Sequence, residues 1–187
     1  MKILIVTDAW LPQVNGVVTT LKKMHEGLIA LGNEVRFVTP QGFRSIPCPT
    51  YPEIRLSLLP YAGVAREIET FTPDAIHIAT EGPLGGAARR YCIKNNLAFT
   101  SAFHTRFAEY VQARTRIPLN LTYGWLRRFH APSRAVMVPT PAVQRDLAMR
   151  GFANTVAWTR GVDTATFRPG ERGRVDTTRP IFLYVGR

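Results

Sequence analysis

A chain of 187 residues with 24 Lys and Arg against 13 Asp and Glu, a net charge of +11 and 45% hydrophobic residues is neither a disordered tail, a collagen-like repeat nor a disulfide-stapled scaffold. At 21.0 kDa it can bury roughly 70% of the surface of its unfolded form, enough for one complete domain but not two. Cys48 and Cys92 lack a second Cys pair or a His cluster beside them, which points to a reducing, cytoplasmic compartment and away from zinc. No stretch has the apolar length of a signal-peptide core or a membrane span, so a soluble or peripheral protein is expected.

Residues 3–6 form a continuous apolar run, the pattern of a strand buried on both faces. Val18, Leu21, Met24, Leu28 and Leu31 then recur at near-helical spacing, and Gly32-Asn33 ends that helix. Residues 34–39 complete a strand-helix-strand unit. Pro47, Pro49, Pro52 and Pro60 forbid a long helix over residues 40–60, where one short strand is expected near residues 54–56. Helices at about 64–71 and 84–95 alternate with strands at 75–79 and 98–101. Residues 104–129 read as helical with a break at Pro118, followed by a strand at 136–139, a helix at 141–150 ended by Gly151, and a short strand at 155–158. This alternation predicts an α/β fold with a doubly wound parallel sheet covered on both faces.

Residues 169–180 have linker composition, and residues 181–185 read as an apolar strand with no partner following it. The expected organisation is therefore a domain over 1–168, a linker over 169–180 and the first strand of a truncated second domain over 181–187.

The charge is uneven along this layout. Residues 1–88 carry a net −1 and residues 89–187 a net +12, with Arg supplying 20 of the 24 basic side chains. Arg suits planar recognition of phosphate or carboxylate, although genomic base composition produces the same bias.

In a doubly wound sheet, ligands bind beyond the carboxyl ends of the strands. Three segments fall there. Asn15-Gly16 sits where a helix N-terminus can approach an anion; the G-x-G-x-x-G spacing of dinucleotide enzymes is absent, and a plain strand-to-helix turn is the competing reading. Glu81, in Thr80-Glu81-Gly82-Pro83, can bind hydroxyls or simply stabilise a helix start. His104 follows directly on a strand, positioned to donate to a sugar hydroxyl or move a proton, with Thr105 as a cap for the next helix. His77, within a strand, reads as a satisfied core histidine, while His25 and His130 lie in helical contexts with no such placement.

A fourth segment, residues 111–134, interleaves Arg114, Arg116, Arg127, Arg128 and Arg134 with Tyr123, Trp125, Leu126 and Phe129. That mixture suits an anionic membrane interface; nucleic acid and a solvated helix face are the competing readings.

The pieces ILIVTDAWLPQVNGVVTTL, IATEGPLG, FHTRFAEY, VMVPTPAVQRDL, RGVDTATFRP and FLYVGR, in this order and spacing, resemble the N-terminal domain of retaining family 4 glycosyltransferases, enzymes of the two-domain B fold. RGVD with TEGPLG and FHTRF is most similar to the branch containing glycolipid mannosyl- and sulfoquinovosyltransferases. The resemblance implies a nucleotide-sugar donor, GDP- or UDP-linked, held mainly by a second domain, and a lipid or glycan acceptor held mainly by this one. It implies that Asn15 and Gly16 lie against the donor diphosphate, that His104 contacts the transferred sugar, and that Arg187 pairs with the diphosphate. Glu81, Thr105 and Tyr110 would lie near the acceptor or sugar, and Arg114, Arg116, Trp125, Arg127 and Arg128 at a membrane. No cofactor and no metal are implied, and there is no Asp-x-Asp pair. A basic nucleic-acid-binding module and a sugar-nucleotide epimerase of similar fold are the alternatives.

Overall fold

The structure, a computed structural model, describes residues 1–48, 51–104, 106–159, 161–169, 180 and 182–184, with the backbone alone for 51–53. Strands β1 (Lys2–Val6), β2 (Glu34–Val38), β5 (Ala75–Ile78), β6 (Thr100–Ala102), β7 (Ala135–Val138) and β8 (Thr155–Ala157) form one sheet in the order β2-β1-β5-β6-β7-β8. Every pairing within it is parallel. The helices between them are α1 (Gly16–Ala30), α2 (Tyr61–Phe71), α3 (Pro83–Lys94), α4 (Phe107–Thr115), α5 (Leu119–His130) and α6 (Pro141–Met149).

The register explains why the strands are apolar without alternation. Leu4 and Val6 pair with Ile76 and Ile78 and pack with α2 and α3, through Val64, Ile68, Phe71, Leu84 and Ala88. Ile5, one residue out of phase, faces the opposite way onto Leu21 of α1. Further along, Val136 and Val138 meet Leu126 and Leu147 of α5 and α6. Each fully buried aliphatic side chain of this kind contributes about 1.5–3 kcal/mol. Caps set the helix limits: Asn15 Oδ1 accepts from the Val17 and Val18 amides, and Thr140 Oγ1 accepts from Val143. Gly32 and Gly151, at φ +78° and +83°, end α1 and α6 in the left-handed conformation that glycine adopts without strain.

Strand order reverses at β1, so the crevice of this doubly wound sheet opens between the carboxyl ends of β1 and β5.

Several boundaries differ from the sequence expectation. The proline-rich stretch holds two strands rather than one, β3 (Ser45–Cys48) and β4 (Tyr51–Ser57), paired as a separate antiparallel hairpin. Each strand of a two-stranded ribbon is an edge strand, where prolines such as Pro47 and Pro52 are tolerated. The strand expected at 98–101 runs Thr100–Ala102, because Ala98 is exposed and Phe99 is the first residue to enter the core. The helix expected from 104 begins at Phe107, which leaves His104 in the preceding loop, and Arg116 in the left-handed region joins Pro118 in separating α4 from α5. Of the strand expected over 181–185, Phe182, Leu183 and Tyr184 are described; they are exposed and join no strand among the described residues. Residues 170–179, Ile181 and Val185 lie outside the described residues. Among the described residues no helix is long and apolar enough to cross a membrane.

Candidate functional site

At the crevice the β5–α3 turn is fixed from below by a buried carboxylate. Asp8, two residues beyond β1, accepts from the Leu84 amide (2.9 Å), the Gly85 amide (3.3 Å) and the Thr80 hydroxyl (2.9 Å), while Thr80 Oγ1 in turn accepts from the Asp8 amide. Burial pushes the Asp8 carboxyl above its usual range; the Leu84 amide, the Thr80 hydroxyl and the Gly85 amide oppose that shift, and Glu81 adds to it. The N-terminus of α3 is therefore already occupied by this protein's own anion. Gly82 and Gly85 make the fit possible: a Cβ on Gly82 would collide with the Asp8 carboxyl, and one on Gly85 with the Thr80 carbonyl oxygen.

Asn15, expected against a diphosphate, spends its side-chain oxygen on capping α1, and its Nδ2 donates to Gln13 Oε1 at 3.0 Å. Gly16 has open space, since a Cβ there would meet nothing within 4 Å. The start of α1 is thus open to the surroundings at Gly16.

His104 stands beyond β6 with its ring edge-on to Trp158 at 5.8 Å. It lines an open depression of about 580 Å³ with Pro139, Thr140, Thr159, Gly161 and Val162, formed by the carboxyl ends of β6, β7 and β8. The wall containing Gly161 and Val162 continues to Asp163, whose carboxylate accepts from the Thr166 hydroxyl and the Ala165 and Thr166 amides and meets Lys23 of α1 at 3.5 Å. Those donors, the Thr166 hydroxyl foremost, hold the Asp163 carboxyl below its usual range.

His77 is core but not satisfied. Nδ1 faces Thr100 Oγ1 at 2.9 Å, whereas Nε2 is buried with no hydrogen-bond partner among the described residues. Burial holds its imidazole down at about 4, against an ordinary 6.5. Below pH 6.5 the unfolded chain takes up a proton that the folded chain refuses, so stability is lost as pH falls toward 4, by about 3 kcal/mol in all. Urea midpoints measured from pH 7 to 4 should show this slope, and His77→Leu should abolish it; an unchanged slope in the variant would assign the acid lability elsewhere.

His130 was expected to have no site placement, and the fold corrects this. It is 1% exposed at the end of α5, with Nε2 3.2 Å from Glu81 Oε1 and Nδ1 2.9 Å from Ser101 Oγ. Glu81 keeps 17% side-chain exposure. Glu81, just ahead of α3, thus pairs its part-buried carboxylate with a buried imidazole. Ser101 was legible only as part of a strand, and no spacing rule joins positions 81, 101 and 130.

Tyr110 is exposed on α4, and Arg114, Arg116 and Arg128 are exposed around the α4–α5 hairpin. Trp125 is 47% exposed and bridges the two helices through ring contacts to Phe107 (6.4 Å) and Phe129 (5.8 Å). Arg127 is exposed as well, and its guanidinium also reaches Gly151 and donates to the Arg150 carbonyl at 3.4 Å. Thr105 and Arg187 lie outside the described residues. Among the described residues no three His, Cys, Asp or Glu side chains stand together as a metal site.

Six parallel strands sandwiched by helices, with an exposed glycine at the first helix start and an open depression beside a strand-end histidine, describe a Rossmann-like half of the kind found in two-domain B-fold glycosyltransferases. The chain belongs to Glycosyltransferase Family 4, whose family model matches residues 14–166. It is 27% identical to a GDP-mannose-dependent alpha-mannosyltransferase of Corynebacterium glutamicum, over 92% of this chain and 46% of that protein. It is 28% identical to a sulfoquinovosyl transferase of Arabidopsis thaliana, over 91% and 34%, and 31% identical to an alpha-monoglucosyldiacylglycerol synthase of Acholeplasma laidlawii, over 59% and 31%. The chain spans about half or less of the length of these relatives. Neither the nucleic-acid-binding nor the epimerase reading finds support among them.

Proposed function

We propose that residues 1–168 are the acceptor-binding half of a retaining glycosyltransferase, that 169–180 link it to a donor-binding domain opened by 181–187, and that the enzyme transfers a sugar from GDP or UDP to a glycolipid or glycan. The observation that carries this reading is the carboxyl edge itself: an open glycine helix start and a strand-end histidine flank the switch point of a family 4 fold. In this reading Gly16 amide and helix dipole face the donor diphosphate, Arg187 pairs with it, and Asn15 acts by holding α1 in place. Stabilising charge on the leaving diphosphate is the largest contribution a protein can make to such a departure. His104 donates to the transferred sugar. Glu81, Thr105 and Tyr110 face the acceptor, which attacks from the side the diphosphate leaves.

Transfer from labelled GDP-mannose or UDP-sugars to glycolipid-bearing vesicles tests it. The transferase carrying this domain should give product with retained anomeric configuration, and the 187-residue chain alone should give none. Inverted product, or turnover by the chain alone, would overturn the reading.

The relative named for a diacylglycerol glycolipid favours an enzyme working at a membrane surface, taken here as a cytoplasmic one. The outward faces of α4 and α5 support this: Phe107, Tyr110 and Arg114 on one, Leu121, Trp125 and Arg128 on the other, with Arg116 and Ile117 between. Leu121 at 62% and Tyr110 at 56% exposure leave apolar surface uncovered among cations, each of which adds about 1 kcal/mol at an anionic surface. In flotation with phosphatidylglycerol vesicles, Leu121→Glu with Trp125→Glu should cut binding about tenfold or more. Binding that survives both changes, or a chain that shifts DNA or RNA but ignores vesicles, would remove the membrane from the model.

A further inference from the structure

Trp158 follows directly on β8, where its amide donates to the Val138 carbonyl at 2.7 Å. Its indole reaches much further. The ring of His77 on β5 is 6.4 Å from it, although β6 and β7 stand between β5 and β8, a separation of roughly 14 Å at about 4.8 Å per strand. The indole therefore lies back across the sheet instead of standing off its edge strand. The register shows what it crosses. His77, Thr100 and Ala135 form one row across the strands, and Ala102, Met137 and Val156 the next. Ile5 pairs with His77, so both rows lie on the face that α1 covers further along. Thr100, Ala102 and Ala135 are short side chains, which leave a shallow groove for a flat ring. On its inner side the indole meets His77, which is buried and tied through Nδ1 to Thr100 Oγ1 at 2.9 Å.

The same indole meets His104 at 5.8 Å with the two ring planes 68° apart. A histidine does not choose its own ring plane, because its outer torsion is broad and roughly two-fold. Its neighbours do. His104 stands between Phe103, whose amide donates to the Met137 carbonyl at 2.9 Å, and the start of α4 at Phe107. Edge-to-face packing at this separation is a preferred arrangement of two rings and fixes their mutual orientation.

We propose that Trp158 is the positioning residue of His104: braced on His77 and on the sheet, its indole sets the plane in which the His104 imidazole faces the depression at the carboxyl edge. Rigidity is the point of the brace, since a reacting group misplaced by about 1 Å loses about 10²-fold in rate. The use of the oriented ring in sugar transfer rests on the proposed transferase function; the packing of the three rings does not.

Proton NMR of the 187-residue chain, with His and Trp labelled, reads the packing directly. Through-space contacts are expected from the Trp158 indole to the rings of both His77 and His104. A His104 ring with no contact to the indole would overturn the proposal, whatever the variants do. In the transferase, Trp158→Met refills the groove with a flexible apolar side chain and should lower kcat about tenfold or more, while KM for the nucleotide sugar changes less than about twofold. Trp158→Phe keeps a flat ring and should stay within about threefold of wild type. The double variant separates positioning from packing. A residue that acts through His104 has nothing left to act on in His104→Ala, so adding Trp158→Met there should change kcat less than about twofold. An equal loss in both backgrounds would make Trp158 a packing residue and overturn the proposal, as would wild-type turnover by Trp158→Met in a transferase that His104→Ala slows. A transferase that His104→Ala does not slow would sink the proposed role of His104 and the use of its brace together, leaving only the ring contacts.

Discussion

His104→Ala in the proposed transferase is expected to lower turnover by about 10²–10³-fold, the cost of removing one aimed donor or proton-moving group from a transition state. Folding should barely notice. The imidazole is only partly buried, and its ring contact with Trp158, edge-on at 5.8 Å, is worth about 0.5–1.5 kcal/mol. Side-by-side thermal melts and initial rates separate the two effects. A rate within a few-fold of wild type would take His104 out of the site; a collapse in melting temperature would make it a packing residue. Trp158 offers a second check, because it contacts both His104 and His77 and its replacement by Leu should disturb the orientation of both rings.

The largest effect on stability is expected at a position with no chemistry. Gly85→Ala places a methyl group against the Thr80 carbonyl oxygen inside a turn already pinned by Asp8, and because the clash is with backbone, with the Ile78 methyl close beside it, no flexible side-chain end can give way. Overpacking of this kind costs about 3 kcal/mol or more, which for a chain of this size lowers the melting temperature by about 6–12 °C. Gly86→Ala, one residue along the same helix, is the internal control: a Cβ there meets nothing within 4 Å, and relief of glycine's backbone entropy should stabilise by about 0.5–1 kcal/mol. Equal melting temperatures for the two variants would show that the β5–α3 turn relaxes freely.

Much of the fold can be read in the chain because its signals are local. The apolar run at residues 3–6, the helical spacing from Val18 to Leu31, and glycines ending α1 and α6 each act within a few residues. The placement of the candidate residues was legible too: strand-end position picked out Gly16, Glu81 and His104, and all three lie at the carboxyl edge. Asp8 was passed over because its partners, Thr80, Leu84 and Gly85, are more than seventy residues away. His130 looked inert on its helix for the same reason. The hairpin in the proline-rich stretch was undercounted, since a two-stranded ribbon tolerates prolines that a central strand would reject.

What the sequence determined by itself is the order of elements, the parallel sheet and the family, because hydrophobic period and turn chemistry are properties of neighbouring residues. Which charges face which partners was decided only in three dimensions. Hydrogen bonds across 49 positions between Glu81 and His130, and across 76 between Asp8 and Leu84, form when β1, β5 and β6 come side by side. The same packing brought the exposed Arg127 to the end of α6 and left Trp125 and Leu121 outside, because a helix buries one face and its 3.6-residue period assigns the other to the surroundings.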